Sequence, residues 1–116
     1  MIRREQILIN KVSPDLPIIV YPGKEILEKL RETFKEEPIS QKTELEIHSM
    51  LYAGDMGGIT CEIRTLNLDT EKQEKVFLCS LTHFRVKRGQ PHFQELEKYR
   101  IKRIKRLQRQ SKNPFF

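Results

Sequence analysis

Cys61, Cys79, His48 and His83 are the side chains best suited by type to hold a metal ion. A zinc site gathers such ligands within roughly 2.0–2.3 Å of one ion. The spacing works against that. Cys79 and His83 lie four residues apart in a stretch that reads as strand, which separates them by about 13 Å along it. The CxxC or HxxxH spacing that a turn or helix supplies is absent. The chain is therefore expected to carry no metal and no cofactor.

Nucleophilic chemistry is no better served. Ser80, Thr82 and His83 are close in sequence, but Thr82 and His83 point to opposite faces of an extended strand. No G-x-S-x-G elbow occurs. A cysteine nucleophile needs an exposed, cationic setting that lowers its pKa, and Cys61 and Cys79 occupy apolar, alternating segments where they read as small buried hydrophobes. His83 is expected to be structural. The glycines of Gly54-Asp-Met-Gly-Gly58 precede a strand rather than a helix, so the helix-terminus logic of phosphate binding is missing. They read as a hairpin tip with positive φ on offer. The expectation is a protein without catalytic activity. Asn113-Pro114-Phe115 matches a short peptide motif, but three residues recur by chance.

Cations are what remain. Residues 85–116 hold 11 Lys/Arg against 2 Asp/Glu, a net +9, whereas residues 1–84 hold 11 against 14, a net −3; the total is the chain's +6. The basic run sits on a predicted helix from Gln90 to Ser111. On a wheel of 100° per residue, Phe93, Leu96, Ile104 and Leu107 fall within about 80° of one another. Lys98, Lys102, Lys105, Arg106 and Arg109 fall within about 100° on the opposite side. Arg100 lies inside the apolar stripe, where it can lay its methylenes on a core and keep its head in water; Ile101 lies off it. Pro91 suits a first helical turn. Glu95 and Glu97 come early and the cations late, in keeping with the helix dipole. Arg85, Lys87 and Arg88 precede the helix and extend the patch if they share its side.

The rest of the chain must position that helix. Gln6–Val12 and Leu16–Tyr21 read as two short strands, with Pro17 marking a strand start or a sheet edge. Lys24–Glu36 reads as a helix on the stripe Ile26, Leu27, Leu30 and Phe34, joined to the polar connector Glu37–Thr43. Glu44–Val86 reads as a three-stranded antiparallel meander. In its first strand Leu45, Ile47, Leu51 and Ala53 alternate with polar residues; in its second, Ile59, Cys61 and Ile63 do. Leu68–Glu74 is a polar loop. The third strand, Lys75–Val86, is apolar on both parities and is expected to be central or covered on both faces.

The predicted fold is thus α+β: a twisted antiparallel sheet in the order ββ-α-βββ-α, with a long basic amphipathic C-terminal helix. At 116 residues it makes one domain over residues 1–111 with a tail at 112–116. Charged residues reach 33%, above the usual quarter. No apolar run approaches a membrane span and the N-terminus lacks a signal-peptide core, so a cytoplasmic location is the default. The charge asymmetry exceeds what solubility needs. It points to a small non-catalytic binding module whose polyanion-binding residues are Arg85, Lys87, Arg88, Lys98, Lys102, Lys105, Arg106 and Arg109. Nucleic-acid backbone, RNA or DNA, is the expected partner; Tyr99 is the only ring near the basic face, which argues against sequence-reading of single strands. The alternative is an interaction or assembly protein that uses the helix and tail for a homodimer or an acidic protein.

Overall fold

A computed structural model of the chain describes residues 3–35, 38–66 and 76–111. The polar loop Leu68–Glu74 and the tail Lys112–Phe116 lie outside the described residues. The fold is α+β. In chain order it runs through α1 (Arg4–Val12), β1 (Ile18–Pro22), α2 (Leu27–Thr33), β2 (Leu45–Tyr52), the one-turn α3 (Gly54–Gly57), β3 (Ile59–Thr65), β4 (Phe77–Ser80), β5 (Phe84–Val86) and α4 (Phe93–Ser111).

The strands form one five-stranded antiparallel sheet in the order β4-β3-β2-β1-β5. Strands β4 and β5 lie at opposite ends of that order, yet only the 3-10 turn Leu81–His83 separates them in sequence. The sheet must therefore curl until its two margins meet at this corner. Ser80 caps the turn, its hydroxyl accepting from the Thr82 N–H at 3.4 Å and lying 3.0 Å from the Thr82 hydroxyl. The interior is filled by Ile18 and Val20, Leu45, Ile47 and Met50, Ile59, Cys61 and Ile63, and Leu81, Phe84 and Val86. Helix α2 adds Leu30 and, at its C-terminal end, Phe34; α1 adds Ile9 and Val12, and α4 adds Leu96.

The structure departs from several local expectations. The first concerns the element order: Gln6–Val12 is not a strand but most of helix α1. Ile7, Leu8, Ile9 and Val12 fit a period of 2 in part and a period of 3.6 in part. The helix wins because it buries Ile9 and Val12 against the sheet and leaves Ile7 55% exposed, with Glu5 in its first turn and Lys11 in its last to suit the dipole. The second concerns strand β2. Its register against β3 shifts between Ile47 and Ser49, and the bulge reverses the facing of the residues beyond it. Met50 enters the core while Leu51 turns outward.

The third concerns Lys75–Val86, which is not one doubly covered strand. The turn at Leu81–His83 breaks it, β4 pairing with β3 and β5 with β1. Leu81 in the turn and Phe84 and Val86 after it thereby point into the same interior, whereas Leu78 is 64% exposed. Apolar residues on both parities come from a change of direction, not from two buried faces. The expected helix from Lys24 likewise begins as a 3-10 turn, Lys24–Ile26, before α2 takes over. In the hairpin tip Gly54 and Gly58 take φ of +84° and +61°, as the glycine spacing implies.

Candidate functional site

Helix α4 is held at three levels. At its start, the Gln90 side-chain oxygen accepts from the Ile19 N–H at 2.9 Å, and the Ile19 carbonyl accepts from the Lys87 N–H at 3.0 Å. Both backbone groups of one β1 residue thus fix the segment that enters the helix. Pro91 and His92 form a turn ahead of the helix rather than its first turn, with His92 at φ +62°. The His92 ring lies 2.6 Å from an Asp15 carboxylate oxygen and 3.7 Å from Glu95. Lys11 of α1 donates to Glu95 at 2.9 Å, which ties α1 to the first turn of α4.

One turn on, Leu96 is fully buried in the core. In the middle, the Tyr99 hydroxyl accepts from the Ile59 N–H at 2.9 Å. Beside it lies Arg103, only 7% exposed. Both pack on Gly58: a Cβ there would stand 2.5 Å from the Tyr99 oxygen and 2.7 Å from Arg103 Nε. The bare backbone of the hairpin tip is what lets the helix approach. Burial pushes the Tyr99 hydroxyl pKa up, against the Ile59 N–H and the nearby Arg103 charge.

The cations divide into two groups. Lys98, Lys102, Lys105, Arg106 and Arg109 share the side of α4 turned away from the core, and all five are exposed. Among the described residues none of the five has an ion pair or hydrogen bond. The helix's own two carboxylates are already engaged, Glu95 by Lys11 and Glu97 by the Arg100 Nε at 2.6 Å. Arg100 is half-buried, in keeping with its place in the apolar stripe.

The three cations before the helix lie differently. Arg85 stands with its guanidinium 5.8 Å over the Tyr21 ring and donates to the Gln41 carbonyl at 3.2 Å. Lys87 donates to Glu44 at 2.6 Å, and that carboxylate raises the lysine pKa. Both are turned toward the 41–44 connector rather than joined to the outer face of α4. Arg88 is exposed.

Between α1 and α4 runs a cleft of about 530 Å³. Arg4, Glu5 and Leu8 form one wall; Glu95, Lys98, Tyr99, Lys102, Arg103 and Arg106 form the other. Reading the C-terminal segment alone misses the contribution of Arg4, since it depends on a helix at a place that reads as strand. It also misses Arg103. That residue sits one or two turns beyond Leu96 and Tyr99 on the same side of the wheel, and its position there is the available signal.

Cys61 and Cys79 face each other in register across β3 and β4. Burial pushes the Cys79 thiol up to about 11 and raises that of Cys61 as well. His83 is partly exposed at the corner turn, 3.4 Å from Glu25. His48 stands 3.3 Å from Glu46. Among the described residues no three His, Cys, Asp or Glu side chains converge as a metal site requires, and no helix is long and apolar enough to cross a membrane.

Together these observations give a curled α+β fold whose C-terminal helix carries exposed lysines and arginines. No family model, curated protein or solved structure matches the chain.

Proposed function

We propose that the protein is a small non-catalytic binding module that presents α4 to the phosphate backbone of nucleic acid. One observation carries this reading: five lysines and arginines share a single sector of α4, open to solvent and without an ionic partner among the described residues. An ordinary solubilising face intersperses both signs. Here the helix's carboxylates are used up by Lys11 and Arg100, so the sector keeps its full positive charge. Such a face attracts phosphates largely without regard to sequence.

The assembly reading has less support. Ile101 and Leu107 are the exposed apolar residues of α4, and they stand about 120° apart on the wheel, so they make no stripe for a second helix.

Fluorescence anisotropy with labelled RNA and DNA across a salt series tests the proposal. Neutralising about five phosphates gives a log–log slope near −4 to −5 on duplex. Reversing charge at Lys102, Lys105 and Arg109 together should remove binding without lowering thermal stability. A flat salt response, or affinity that survives the triple reversal, would overturn the electrostatic reading.

A further inference from the structure

We infer that the nucleic acid held here is a single strand, with one nucleotide unit seated in the cleft between α1 and α4. The inference rests on the reading just given and narrows its ligand. It starts from the second wall. Arg4 faces Lys98, Lys102 and Arg106 across the cleft, and it is exposed, with no ion pair among the described residues. Phosphate oxygens entering between the helices meet cations from both sides, not from one helix alone.

The remaining lining fits a nucleotide better than a bare ion. At about 530 Å³ the cleft is an open groove with room for one nucleotide unit. Leu8 and Tyr99 give it an apolar and aromatic part, and the Tyr99 ring is fixed by its bond to the Ile59 N–H. A base has a π-face for such a surface, and its flanking phosphates suit the cations. The Glu95 carboxylate is already matched by Lys11 and His92. Glu5 remains as the opposing charge in the cleft.

Geometry also disfavours the duplex. A major groove about 12 Å wide admits one α-helix of about 10–12 Å diameter. Lys11–Glu95 and Asp15–His92 hold α1 and the turn after it against the start of α4. Two helices abreast do not enter that groove, so a duplex meets only the outer cations with its phosphates and leaves the cleft empty, whereas a lone strand can run between the helices and use both walls.

The test compares an unstructured 12-nucleotide single strand with a hairpin duplex by anisotropy at one salt concentration, for wild type and four variants. Wild type should bind the single strand at least about tenfold tighter. Arg4→Glu should lose about tenfold or more on the single strand, and Arg4→Lys should recover most of it. Glu5→Gln should tighten binding about threefold, since it removes the opposing charge. Lys42→Glu, at an exposed position that lines no part of the cleft, should change affinity less than about threefold. Thermal melts confirm that each variant folds. The inference is overturned if duplex binds as well as single strand, or if Arg4→Glu costs no more than Lys42→Glu. A salt slope that persists in those cases leaves the broader reading standing. Absence of any nucleic-acid binding removes both.

Discussion

The hydroxyl of Tyr99 accepts a hydrogen bond from the backbone N–H of Ile59 at 2.9 Å, and so fastens the middle of α4 to the first residue of β3. Ile59 is fully buried, so bulk water does not reach its N–H to replace the phenol. Tyr99→Phe keeps the ring but orphans that N–H, which should cost about 1–3 kcal/mol. Urea unfolding measures it. A loss below about 0.5 kcal/mol would mean that the contact contributes little to holding the helix.

The Lys11–Glu95 pair predicts a pH signature. Lys11, through its hydrogen bond and charge, holds the Glu95 carboxyl below its ordinary value of 4.5, with His92 adding to the effect. A carboxylate with a depressed folded-state pKa stabilises the fold above its unfolded pKa, and that contribution fades as the pH falls through the folded value. The melting temperature of Glu95→Gln should therefore lie slightly below wild type above about pH 5, and the gap should close progressively below about pH 4.5. Because the pair is exposed, salt at about 1 M should shrink the gap at every pH. A gap that widens with acid would contradict the pairing.

The cysteines predict slow chemistry. A thiol pushed up to about 11, as at Cys79, is almost entirely protonated near neutrality, and the thiolate is the reactive form. Native protein at about pH 7.5 should label with a disulfide reagent at least about tenfold slower than a free peptide thiol. Cys79 should react before the fully buried Cys61, and both should react at once in denaturant. Rapid native labelling of Cys61 would show that β4 opens readily from β3.

The α+β class and the hairpin of β2 and β3 are legible in the alternation, because Ile59, Cys61 and Ile63 each place an apolar group on one face. Legibility ends where the backbone changes direction without a sequence marker. The bulge after Ile47 and the turn at Leu81–His83 each shift the parity, and neither carries the glycine or proline that usually announces a break. Helix α1 is illegible for another reason: in so short a stretch Ile7, Leu8, Ile9 and Val12 fit two periods, and packing on the sheet decides between them. The amphipathic division of α4 can be read on a wheel. That Arg4 faces it cannot, since the pairing spans nearly the whole chain and rests on the curl of the sheet.

The deep placement of Leu96 has one more consequence. The segment that would meet a ligand is also the stopper of the hydrophobic interior, so it is no detachable arm. A substitution that loosens Leu96 in its seat therefore disturbs the core and the binding surface together, and the positive sector is only as firmly held as the interior beneath it.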